Sequence, residues 1–242
     1  MNSRARILLL IGTRPEAIKL APVYRELSRH DDLFEPLLVT TSQHSEMLRQ
    51  ALASFHLSAD ADLGLMRHGQ GIEQFLARSL KPVALLVGQL QPAAVVVQGD
   101  TTTVVGSALS AFYQRTPVAH VEAGLRSFDS GNPFPEEIHR RITACIADVH
   151  FAPTQRARAN LLNEGVKAET VYVTGNTIVD ALQSLPSTAK FEEASLDAID
   201  FDRSRVLLVT AHRRESHGEG LHSICTALRR LVEKFSDLEI VF

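Results

Sequence analysis

Charged residues close several apolar runs of this 242-residue sequence, and their types suit acid/base work on an anion. The run "AVVVQ" is followed by Gly99 and Asp100, "PVAHV" by Glu122, and "LLVTA" by His212 with Arg213, Arg214 and Glu215 beside it. A carboxylate that closes a buried strand needs a partner or a ligand, because burial penalises an unpaired charge. The first run leads into "GTRPEAIKLAP", where Thr13 and Glu16 have capping-box spacing and Pro15 suits a first helical turn. Arg14 and Lys19 then lie near the positive end of a helix dipole, which disfavours cations. An anion at the helix start would resolve that conflict, and so would a salt bridge to Glu16 or a neighbour.

Each of the other groups also has an ordinary structural reading. Asp100 can N-cap the helix that follows it, Glu136 and Glu137 are placed as first-turn acids commonly are, and His212 can be a surface histidine. Taken together at successive strand ends, they form a candidate acid/base site for an anionic substrate. The opening turn lacks both G-x-G-x-x-G and G-x-x-x-x-G-K-[ST], and the second apolar run ends in "VTTSQH" without an acidic residue for a ribose, which argues against NAD and ATP chemistry. Cys145 and Cys225 are far apart and in no metal-ligand spacing, so neither a disulfide framework nor a metal site is expected.

The elements that must position these groups are legible as alternating runs. Strands are expected over Arg6–Ile11, Pro36–Thr40, Ala94–Gln98, Pro117–Val121, Val149–Ala152, Val171–Thr174, Val206–Thr210 and Leu238–Phe242. Helical periodicity occupies Ile72–Leu90, Thr102–Tyr113, Glu136–Ile146, Leu221–Phe235 and Glu46–Phe55, where Met47, Leu48, Ala51, Leu52 and Phe55 share a face. Strands without polar alternation, separated by helices, predict a doubly wound α/β fold with a parallel sheet and ligands at the strands' carboxyl ends. The polar, acidic stretch Leu185–Arg203 reads as a boundary, dividing the chain into a Rossmann-like domain over 1–184 and, over 185–242, a linker and an incomplete second domain.

A net charge of −3 argues against nucleic acid held by bulk electrostatics. Ile7–Ile11 is too short for a signal-peptide core, and Pro82–Val97 is broken by Gln89, Gln91 and Pro92, so neither targeting nor membrane spanning is expected and a cytoplasmic protein is.

Seven segments, "GTRPEAIKLAP", "TSQHSEML", "QGDTTTVVGSALSAFY", "PVAHVEAGLRS", "NPFPEEIHRR", "VTGNTIVDAL" and "VTAHRRES", resemble in order the signatures of the non-hydrolysing UDP-N-acetylglucosamine 2-epimerases. The resemblance covers essentially the whole chain. It implies two Rossmann-like domains of the glycosyltransferase-B type, with UDP-GlcNAc and UDP-ManNAc interconverted in the cleft between them, without a cofactor, for bacterial surface polysaccharides. It implies catalytic roles for Asp100, Glu122 and Glu136, substrate contacts from Arg14, Lys19, His212, Arg213 and Arg140, and a homodimer. The stretches holding Gln43, His44 and Gln70 correspond to a second, activating UDP-GlcNAc, although many members carry Arg where this chain has Gly69. Members of the family continue beyond the strand matching "LEIVF", so the expectation for this chain alone is weak epimerisation or none. Two competing readings remain: a hydrolysing epimerase or glycosyltransferase of the same architecture, and a module that binds nucleotide sugar without chemistry.

Overall fold

The computed structural model describes residues 4–41, 46–67, 69–185, 194–211 and 218–242. These fall into two units, Met1–Leu185 and Pro186–Phe242.

In the first unit, β1 (Ala5–Ile11) is buried on both faces: Leu8 and Leu10 join one core cluster, while Ile7, Leu9 and Ile11 join another. That double burial explains the uninterrupted apolar run, since neither face of the strand meets water. Around it lie β2 (Phe34–Thr40), β3 (Ala61–Asp62), β4 (Ala94–Gln98), β5 (Val118–Val121), β6 (Val149–Ala152) and β7 (Val171–Val173), in the order β3-β2-β1-β4-β5-β6-β7. Every pairing is parallel. The helices α1 (Arg14–Arg29) and α2 (Glu46–Ser54) supply side chains to the Ile7 face, and α3 (Ile72–Leu90) and α4 (Thr102–Tyr113) to the Leu8 face. The expected doubly wound parallel α/β sheet is therefore the observed one.

α3, α4 and α5 (Glu136–Ile146) match their periodic stretches end to end. Met47 departs from the expected apolar face of α2: it is 57% exposed, whereas Leu48, Ala51, Leu52 and Phe55 are buried. Two short helices escape a periodicity search. α6 (Gln155–Asn163) is mostly polar and is started by Thr154, whose hydroxyl accepts from Ala157 N at 3.1 Å. α7 (Thr177–Gln183) is only seven residues long and is capped by Asn176, whose Oδ1 accepts from Ile178 N at 3.1 Å.

The second unit contains α8 (Ala194–Asp197), β8 (Arg205–Leu208), α9 (Glu219–Lys234) and β9 (Leu238–Val241), with β8 and β9 parallel. No residue of α9 is buried, and Leu208 is 76% exposed. Among the described residues, no helix of either unit is long and apolar enough to cross a membrane.

Candidate active site at the carboxyl ends of β1, β4 and β5

The turn from β1 into α1 is tight for a steric reason: a Cβ built on Gly12 would stand 2.0 Å from Thr103 Oγ1 of α4. Only glycine lets the two strand-end turns approach this closely. Thr13 is the N-cap and Glu16 completes the capping box. Glu16 is 1% exposed. Its Oε2 accepts from Gly12 N at 2.5 Å and Thr13 N at 2.8 Å, and its Oε1 accepts from the Thr101 hydroxyl at the head of α4. The helix start thus satisfies its demand for an anion with its own carboxyl group. Burial nevertheless dominates and pushes the Glu16 carboxyl above the usual carboxylate range.

The two cations of this turn separate. Lys19 reaches away from Glu16 to Glu122, with Nζ 2.5 Å from Oε2, so the ion-pair alternative holds for Lys19 with a partner 103 residues along the chain. Arg14 is exposed and places Nη1 3.9 Å from Met47 Sδ.

Glu122 directly follows β5, with its backbone in the left-handed region at φ +65°. For a residue with a long side chain that conformation costs roughly 1–3 kcal/mol and persists only where the surroundings fix it. Here the carboxylate supplies the fixing. Besides Lys19, Gln98 Nε2 donates to Oε2, and Asn176 Nδ2 donates to Oε1 at 3.2 Å.

Asp100 follows β4. The expected alternative for it, capping α4, is overturned: Thr101 is the cap and accepts from Val104 N at 3.4 Å. The Asp100 carboxylate instead receives Arg140 of α5, with Nε at 2.9 Å and Nη2 at 2.7 Å from Oδ2. Its backbone is held by two rings, since His120 Nε2 donates to the Gly99 carbonyl at 2.8 Å and His139 Nδ1 to the Asp100 carbonyl at 2.9 Å. Burial lowers the His120 pKa to about 4, so the ring is neutral at ordinary pH and serves as a donor through Nε2. Arg140 is itself anchored by Glu137, which is fully buried and also accepts from Ser127 N and Phe128 N.

Asp100, Glu122, Lys19 and Arg140 therefore line one cavity of about 220 Å³, together with Thr13, Glu16, Gln98 and Thr101. Three larger clefts, of about 380, 360 and 390 Å³ near Pro22, Phe34 and Ala144, are not lined by two carboxylates each paired with a lining cation; the first holds only the Glu26–Arg29 pair. Arg14 and Glu136 do not line the cavity. Glu136 is half-buried at the start of α5, one helical turn before Arg140, and makes no hydrogen bond or ion pair among the described residues. Gln70 lies in another part of the unit, with its carbonyl oxygen 2.7 Å from Arg78 Nη1 and its amide against Met66 Sδ. His212, Arg213, Gln43 and His44 lie outside the described residues.

Gln98, Asn176, His120 and His139 are not singled out by the sequence, and Glu137 stands out there only as a first-turn acid. The one usable signal was Gln98, an amide at the closed end of a buried strand.

The family model for UDP-N-acetylglucosamine 2-epimerase matches residues 25–242. A Thermotoga maritima relative is 46% identical over 238 residues, covering 98% of this chain and 62% of its own length. The UDP-N-acetylglucosamine 2-epimerase of Escherichia coli K12 is 43% identical over 244 residues, covering 98% and 64% respectively. The crystal structure of UDP-GlcNAc 2-epimerase from Neisseria meningitidis bound to UDP-GlcNAc superposes with a TM-score of 0.86 at 40% identity, over 97% of this chain and 64% of that one. The chain thus spans a little under two thirds of the length of these relatives, and by the extent of these matches it belongs to the UDP-N-acetylglucosamine 2-epimerase family.

Proposed function

We propose that the chain carries the acid/base site of a non-hydrolysing epimerase that interconverts UDP-GlcNAc and UDP-ManNAc. The observation that carries this reading is the convergence of Asp100 and Glu122, from the ends of adjacent parallel strands, on one cavity, each with its own cation. Inverting C2 requires removal of its proton on one face and return of a proton on the other, and so two groups able to exchange protons. In the proposed reaction a base takes the C2 proton, the electron pair forms the C1–C2 double bond of 2-acetamidoglucal, and the C1–O bond breaks to release UDP. UDP then adds back to C1 while C2 is protonated from the opposite face.

Asp100, Glu122 and Glu136 are proposed as the proton-exchanging groups. Lys19 pairs with Glu122 and Arg140 with Asp100, while Arg14, His212 and Arg213 are proposed to meet the departing diphosphate, where cations lower the barrier. A homodimer in the cytoplasm, supplying ManNAc units for surface polysaccharide and activated by a second UDP-GlcNAc near Gln43, His44 and Gln70, completes the proposal. The residue types are consistent with its needing no cofactor.

Incubation of the full-length protein with UDP-GlcNAc in deuterated water tests the reading. The expected products are C2-deuterated UDP-ManNAc and UDP-GlcNAc; release of free ManNAc, or binding with no exchange, overturns it.

A further inference from the structure

The Glu122 carboxylate has four lone-pair positions, two on each oxygen. Oε2 is saturated by Lys19 Nζ of α1 and Gln98 Nε2 at the end of β4. Among the described residues Oε1 receives one donor, Asn176 Nδ2 at 3.2 Å, which leaves one lone pair of the group without a described partner. The carboxylate is only 11% exposed, and the backbone that carries it sits in a region that does not hold a glutamate unaided. Asn176 lies outside the cavity wall, at the junction of β7 and α7. The orientation of its amide is fixed by chemistry: with Oδ1 on Ile178 N, the NH₂ faces the carboxylate, and the flipped amide would set oxygen against oxygen and N–H against N–H.

We infer that Asn176 is a positioning residue, which locks Glu122 so that Oε1 is the oxygen that exchanges the proton with the substrate's C2. The inference rests on the proposed role of Glu122. Asn176 performs two separable tasks, since its oxygen caps α7 while its nitrogen directs Glu122. Serine and aspartate also cap helices well, but neither donates from that position. The other charged groups around the cavity are Glu16 and Lys19 from α1, Asp100 from the β4–α4 turn and Arg140 from α5, and all are unaltered in such variants.

The test compares Asn176→Ser, Asn176→Asp and Glu122→Gln in the full-length protein, reading thermal midpoint, KM, kcat and the pH profile of kcat/KM. Asn176→Ser is expected to keep the wild-type midpoint and a KM within about threefold, and to lose about 10- to 100-fold in kcat, as befits one lost charge-assisted hydrogen bond. Asn176→Asp is expected to lose more, with the acidic limb of its profile displaced to higher pH, because a second carboxylate then faces Glu122. If both variants turn over like wild type while Glu122→Gln is dead, Asn176 is a cap alone and the inference fails by itself. If Glu122→Gln is active, or the wild-type chain shows no exchange, the reading beneath fails and takes the inference with it.

Discussion

Two buried glutamates flank the cavity, and their environments push them in opposite directions. Glu16 and Glu137 are 1% and 0% exposed, and each accepts two backbone N–H groups. For Glu16 the third donor is a hydroxyl, and desolvation wins, raising the carboxyl. Desolvation also pushes Glu137 up, but the Ser127 and Phe128 N–H groups and the Arg140 guanidinium outweigh it and bring the carboxyl below its ordinary value. Arg141 adds a second guanidinium at 3.3 Å. Two carboxyl groups with similar backbone donors thus shift in opposite directions, and the one whose pKa falls has guanidinium partners besides its backbone donors. Within the site itself carboxylates are likewise paired with cations, Asp100 with Arg140 and Glu122 with Lys19.

The sharpest way to break the comparison is Glu137→Ala, which strands Arg140 and leaves two backbone donors unpaired. A loss of about 3–5 kcal/mol in unfolding free energy from urea titration is expected, with turnover in the proposed reaction falling as Asp100 loses its anchored partner. A loss under about 1 kcal/mol would mean the guanidinium pairing is not what holds this carboxylate. The pH sign follows from the lowered pKa: Glu137 stabilises the fold above the unfolded carboxyl value near 4.5 and stops doing so as the pH drops through its folded value.

His120 extends the comparison to a buried base with no anionic partner. Its pKa falls from 6.5 to about 4, chiefly by desolvation. The stability it confers is complete above pH 6.5 and disappears as the pH falls towards 4, by about 3 kcal/mol at most. His120→Gln, which keeps a donor near the Nε2 position, should flatten that part of the pH–stability curve in denaturant titrations.

Glu16→Gln should have the smallest effect, about 1 kcal/mol at neutral pH, because the amide oxygen can take the Gly12 and Thr13 N–H groups while its nitrogen donates to Thr101. Since the folded pKa of Glu16 is raised, wild-type Glu16 stabilises most below pH 4.5 and loses that contribution as the pH rises through the folded value. The variant's deficit should therefore shrink from acid to neutral pH. A deficit that grows with pH would contradict a carboxyl whose pKa is raised by burial.

The fold was readable because burying both faces of a strand demands an apolar run, and β1, β4 and β6 have little else. The acidic strand ends were readable for the complementary reason, that Asp100 and Glu122 break such runs at their carboxyl ends. Partner choice was not readable. "GDTTT" offers several candidate caps, and backbone geometry picks Thr101, freeing Asp100 for Arg140. Glu136 and Glu137 are indistinguishable as letters, yet 100° of helical rotation buries one against Arg140 and leaves the other half-exposed. Asn176 looks like any helix cap, because its second bond runs to a residue 54 positions away.

That reach across the chain has a kinetic consequence. A sheet whose strands all run parallel contains no hairpin, so each pairing closes only across an intervening helix. The Glu122 cradle draws on residues 19, 98 and 176, which no short fragment brings together. Because loop closure must precede such high-separation contacts, a partly unfolded chain lacks the cradle that holds Glu122, the proposed proton-exchanging group. The proposed site therefore takes shape only as the sheet is completed.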